Sequence, residues 1–164
     1  MALDQPEQSP TAPGAQEPAA LVKPELDAVP ETALWTLYYR ALEARRPDGL
    51  LDDPKAVGLV ERIDFPFAER FGTGSSLLLR LQALRVASFD REVSDFLDRC
   101  PRGTVVCLGE GLETQYWRVD NGRANWLSAD LPETVALRER LLPPVARPIV
   151  LRTQVMREAG YVTC

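Results

Sequence analysis

The sequence contains no histidine, which removes the imidazole base of Ser-His-Asp and Cys-His nucleophilic machinery together with the commonest metal ligand. Cysteine is scarce: Cys100, Cys107 and Cys164 are odd in number and too far apart for a CxxC pair. That argues against a disulfide framework and a thiolate zinc site, and fits a reducing cytoplasm. No apolar run approaches the ~18 residues that suggest a membrane span. The opening MALDQPEQSPTAPGAQEPAALVKPELDAVP has neither a basic n-region nor a continuous apolar h-region, so neither export nor membrane insertion is expected. Nineteen basic against 24 acidic residues give a net charge of -5, with no window gathering Lys and Arg into a stripe, so nucleic acid is not an expected partner.

What is present suits one soluble globular unit: 164 residues, 45 % of them hydrophobic, allow an ordinary core. Residues 1–29 are rich in Pro, Ala, Gln and Glu, and read as a disordered tail because they offer too little apolar surface to offset the entropy of ordering. Residues 30–102 change to helical spacing. Leu34, Leu37, Tyr38, Ala41 and Leu42 recur at three and four until Pro47-Asp48-Gly49, giving a first helix. Asp53 and Pro54 form an N-cap and N1 pair for a second through Val57, Val60 and Ile63, stopped by Asp64-Phe65-Pro66. Ser75 or Ser76 caps one long or two consecutive helices whose apolar positions are Leu77, Leu81, Leu84, Phe89, Val93, Phe96 and Leu97.

After Pro101 and Gly103 the period changes. TVVCLG has no polar face, as expected of a strand buried on both sides of a parallel sheet. NWLSADL reads as a second strand, PETVALRERLL as a helix with Pro132 at N1, and RPIVLRT as a third strand. Residues 103–164 thus read β-helix-β-helix-β. The fold class is α/β, an N-terminal helical cap followed by the first half of a Rossmann-like sheet.

In such sheets ligands sit beyond the carboxyl ends of the strands. Gly109 and Gly111 of LGEGLET stand at that place, and Asp130 ends the second strand about twenty residues on, where a carboxylate can take ribose hydroxyls. On spacing alone, a plain strand-to-helix turn and an N-cap role for Asp130 remain open. A dinucleotide fingerprint wants a third glycine where Thr114 stands, and Glu110 and Glu113 would face pyrophosphate charge. S-adenosylmethionine carries no phosphate and bears two cationic groups, so the acidic turn favours methyl transfer.

Four blocks in series, ETALWTLYYRALEAR, LRVASFDREVSDFL, VVCLGEGLETQYWRVD and ADLPETVALRERLL, resemble the leucine carboxyl methyltransferase family, which includes O-methyltransferases of polyketide biosynthesis. The resemblance covers about residues 31 to 142. It implies a class I methyltransferase domain with a helical addition, S-adenosylmethionine as methyl donor, and a small-molecule acceptor methylated on a carboxylate or hydroxyl. It further implies that Gly109 and Gly111 form the cofactor turn, that Asp130 binds the ribose, and that Arg85 pairs with the methionine carboxylate. The family pattern GAGLDTR stands here as GEGLETQ, so Glu110 replaces a small neutral residue. Beyond the third strand the family continues with further strands, whereas this sequence reads RTQVMREAGYVTC. The expectation is a family member cut short after that strand, its first strand an open edge inviting a partner chain or self-association.

Overall fold

A computed structural model describes residues 21–24, 31–143 and, for the backbone alone, 148–152. The first helix, α1 (Glu31–Ala44), buries Leu34, Leu37, Tyr38 and Ala41, the positions that helical spacing selects. Its exit is tied down by Glu43, fully buried, whose Oε1 accepts the Leu50 N–H at 3.0 Å. A Cβ at Gly49 would collide with the Glu43 carbonyl, so only glycine lets the chain turn back this closely. Helix α2 (Pro54–Arg62) starts as the sequence dictates: the Asp53 carboxylate accepts the Ala56 N–H at 3.0 Å and Pro54 occupies the first turn.

A short helix, α3 (Phe67–Phe71), follows directly. Sequence reading missed it because Asp64-Phe65-Pro66 marks an end without marking the new start. It is held by ring packing rather than by length: Phe67 stacks on Tyr38 at 5.3 Å and meets Phe65 edge-on at 5.0 Å. Helix α4 (Ser76–Arg99) is one continuous 24-residue helix with Ser75 as its N-cap, accepting Leu78 N–H at 3.3 Å.

The buried face of α4 corrects the sequence expectation. Leu79, Ala83, Val86 and Leu97 face inward, whereas Leu77, Leu81, Leu84 and Phe89 are exposed. Both sets recur at helical spacing, so the sequence could not tell which stripe meets the core.

Strands β1 (Thr104–Leu108), β2 (Asn125–Asp130) and β3 (Pro148–Arg152) pair in parallel in the order β1-β2-β3. Val105 lies opposite Trp126 and Leu108 opposite Ala129, while Asp130 lies opposite Arg152. Helix α5 (Gln115–Val119) connects β1 to β2, and α6 (Pro132–Leu141) follows β2 with Pro132 in its first turn. Strand β1 is buried on one face only. Val105 packs with Leu97 and Trp126, but Val106 is 51 % and Leu108 73 % exposed. An unbroken apolar strand announces two covered faces, and among the described residues one cover is missing.

The largest core joins the helices to the sheet unit: Leu34, Leu37 and Leu59 of the cap share it with Leu112 of the turn and Leu137, Leu141 and Leu142 from α6 and its end. The boundary at 102/103 is therefore a change of secondary structure and not a gap in packing. Most of residues 1–29 lie outside the described residues. Within that stretch the tail reading does not hold for Val22, which bridges Ile63: the Val22 N–H donates to the Arg62 carbonyl at 2.8 Å and the Val22 carbonyl accepts the Asp64 N–H at 2.9 Å.

Candidate cofactor turn

The chain leaves β1 at Leu108 and bends through Gly109 and Gly111, at φ +61° and +57°. L side chains avoid that region and glycine does not. Gly109 N–H donates to the Ala129 carbonyl at 2.8 Å, continuing the ladder one step past the strand. Gly111 N–H donates to Asp130 Oδ2 at 2.6 Å, and the other carboxylate oxygen receives Leu131 N–H at 2.7 Å. Asp130 is thus a clasp between the turn and the end of β2, while the N-cap position of α6 falls to Leu131.

Because the N–H groups of both glycines are engaged within the protein, the turn is not an open cradle of glycine amides of the kind that binds phosphate. Its front is nonetheless open: a Cβ built at Gly109 would meet nothing within 4 Å.

The turn is also gripped from behind. Arg138 of α6 donates through Nη1 to the Gly111 carbonyl at 2.7 Å and the Glu113 carbonyl at 2.8 Å, and its Nη2 lies 3.0 Å from Glu110 Oε1. Arg40 of α1, buried, donates through Nη2 to the Leu112 carbonyl and through Nη1 to Glu113 Oε2, each at 2.7 Å. Ser128 also donates its hydroxyl to Glu110. Burial raises the Glu110 pKa even though Arg138 and Ser128 oppose that rise.

Arg118 of α5 links the turn to the cap. It donates to Asp90 Oδ2 at 2.6 Å, to Asp53 Oδ2 at 2.8 Å, to Glu113 Oε1 at 2.8 Å and to the Thr114 hydroxyl oxygen at 2.7 Å. The Thr114 hydroxyl in turn donates to Asp53 Oδ2 at 2.6 Å. Burial alone would raise the Glu113 pKa, but Arg40 and Arg118 together hold it below its usual value. Burial beside Glu110 pushes the Cys107 thiol up to about 12, so at neutral pH this cysteine is an inert apolar side chain and not a nucleophile.

Of the residues singled out from sequence, the fold brings Gly109, Gly111 and Asp130 together. Arg85 makes no hydrogen bond with them: that guanidinium is exposed and its hydrogen bond goes to Gln82 Oε1 at 3.2 Å on its own helix. Asp90, further along the same helix, pairs with Arg118. Arg40, Asp53 and Arg138 were missed as parts of the turn. The available signal was Arg40 within the apolar stripe of α1, since a cation buried there needs an anion from another element. An open groove lined by Cys100, Pro101, Arg102, Gly103 and Arg123 lies at the amino end of β1, the end away from the turn.

Parallel strands joined through a glycine turn, with a carboxylate closing that turn from the end of the second strand, define a Rossmann-like α/β unit. The chain belongs to the leucine carboxyl methyltransferase family, whose model matches residues 33–156. It is 35 % identical over 119 residues to the tetracenomycin polyketide synthesis O-methyltransferase TcmP of Streptomyces glaucescens, covering 72 % of this chain and 43 % of that protein. It is 30 % identical over 129 residues to the S-adenosyl-L-methionine-dependent methyltransferase dpfgK of Gibberella zeae, covering 73 % of this chain and 43 % of that protein. The chain spans less than half the length of these relatives.

Proposed function

We propose that this chain carries the S-adenosylmethionine turn of an O-methyltransferase acting in the cytoplasm on a carboxylate or hydroxyl of a small molecule. The observation that carries the reading is the Asp130 clasp on Gly111. Its carboxylate has about four lone-pair positions, of which two are filled by N–H donors, so it can still accept hydroxyl donors from a ribose. Glu110 supports the same choice, because a buried carboxylate in the turn suits a cationic ligand better than a pyrophosphate. Arg85 enters as the clamp for the methionine carboxylate on the family pattern alone.

The bound donor supplies a methyl group on a sulfonium, a good leaving group, so the protein's share is positioning and exclusion of water. Gly109 leaves room for close approach, and Asp130 fixes the ribose end. A carboxylate acceptor is already nucleophilic at neutral pH and needs no base, which agrees with a chain that has no histidine. Titration calorimetry of the purified chain with S-adenosylmethionine tests the reading. Binding is expected, and Asp130→Ala and Arg85→Ala are each expected to weaken it at least about tenfold, the loss of roughly 1.4 kcal/mol. A folded chain that binds no S-adenosylmethionine at millimolar concentration sinks the proposal.

A second reading is favoured by the exposed Val106 and Leu108 on β1 and by the exposed leucines of α4. In this reading the chain is a non-catalytic subunit that functions only when a complementary polypeptide adds a strand beside β1. Light scattering on a size-exclusion column distinguishes it: self-association together with no cofactor binding supports the second reading, and a stable cofactor-binding monomer rejects it.

A further inference from the structure

A turn with two left-handed glycines a residue apart is intrinsically soft, because glycine has more backbone freedom to lose than any other residue. Something outside the turn must select its shape. Three consecutive carbonyls, those of Gly111, Leu112 and Glu113, each accept a hydrogen bond from a mostly buried guanidinium, Arg138 for the first and third and Arg40 for the second. The two arginines come from separate elements, α6 and α1, and approach the side of the turn that carries Leu112 into the main core.

We infer that Arg138 and Arg40 are positioning residues of the cofactor turn: by holding these three carbonyls inward they fix the peptide planes that the ligand meets. The inference rests on the reading that the turn binds S-adenosylmethionine, and deepens it. A rotation of the Gly111-Leu112 peptide would exchange its carbonyl and N–H directions. The Arg138 bond to the Gly111 carbonyl opposes that rotation from one side, and the Arg40 bond to the next carbonyl opposes it from the other. The charges agree with the geometry. Glu110 and Glu113 sit on the same turn, and the same two arginines reach them at 3.0 and 2.7 Å, so each cation holds a backbone carbonyl and balances an acidic side chain together.

Arg138→Lys provides the test, since it keeps the positive charge beside Glu110 but cannot present the planar fork that reaches two carbonyls and a carboxylate at once. Arg62→Met is the control for a purely structural arginine: Arg62 caps the end of α6 through the Arg140 and Leu141 carbonyls and does not touch the turn. In nitrogen-15 spectra of the free chain, Arg138→Lys is expected to displace the Gly109 and Gly111 amide resonances and Arg62→Met to leave them in place. By calorimetry, Arg138→Lys is expected to weaken S-adenosylmethionine roughly tenfold, equivalent to one good hydrogen bond to the ligand. Arg62→Met should lower the melting temperature with affinity unchanged. Glycine resonances and affinity at wild-type values in Arg138→Lys would overturn the inference, as would equal displacement in Arg62→Met. A wild-type chain that binds no S-adenosylmethionine overturns the functional reading instead, and the glycine resonances then decide the positioning role alone.

Discussion

Glu113 shows how much can rest on a single carboxylate. Its two oxygens meet Arg40 from α1 and Arg118 from α5, and Oε1 also accepts the Thr114 N–H at 2.8 Å. Replacing it leaves two cations without part of their compensation, and breaking a buried ion pair from one side typically costs about 3–5 kcal/mol. Glu113→Gln, with a partly exposed side chain and an amide that still accepts, is expected to lose about 2–4 kcal/mol at neutral pH, measured by urea unfolding. The pH dependence has a definite sign. A carboxyl held below its usual value of 4.5 in the fold contributes stability above that value, and the contribution disappears as pH falls through the folded pKa. The gap between wild type and Glu113→Gln should therefore narrow as the pH drops below 4.5. Glu110, raised chiefly by burial and further by Glu113 itself, changes in the opposite sense, so its own contribution cancels only in part between the two proteins.

At the scale of elements, α4 separates what a pattern can reveal from what it cannot. Leu79 is buried beside Tyr39 and Gly74, whereas Leu81 is 52 % exposed. Leu79→Ala is expected to destabilise by about 2–4 kcal/mol and Leu81→Gln by no more than about 0.5 kcal/mol. Thermal unfolding of the two variants checks this, and a larger loss for Leu81→Gln would mean that the outer stripe is covered in solution. The existence of α1, α2, α4, α6 and the three strands was legible because caps, breakers and periodicity act locally: Asp53-Pro54, Ser75 and Pro132 each mark the start that the sequence indicates. The face that α4 presents was not legible, since Leu77, Leu81 and Leu84 keep helical spacing as faithfully as Leu79, Ala83 and Val86. Helix α3 was hidden because its five residues are fixed by rings from elsewhere, not by their own propensity. Of the turn, Gly109, Gly111 and Asp130 were legible from spacing along a β-helix-β unit. Arg40, Asp53 and Arg138 were not, because nothing local marks which buried charge meets which.

For the molecule as a whole, the helical cap and the sheet unit are one packed body, joined by the shared core of Leu34, Leu37, Leu112 and Leu137 and by the ion network above it. No helix among the described residues is long and apolar enough to cross a membrane. The bonds that shape the turn also span long stretches of sequence: Arg40 to Glu113 bridges 73 residues, Thr114 to Asp53 bridges 61, and Arg118 to Asp53 bridges 65. Contacts of that separation are slow to form, because loop closure costs entropy before the contact can compensate. In refolding from urea, helix content by circular dichroism should therefore recover before S-adenosylmethionine binding does, and simultaneous recovery would contradict this order. That order would make the glycine turn, though only a few residues long, one of the last parts of the chain to acquire its shape.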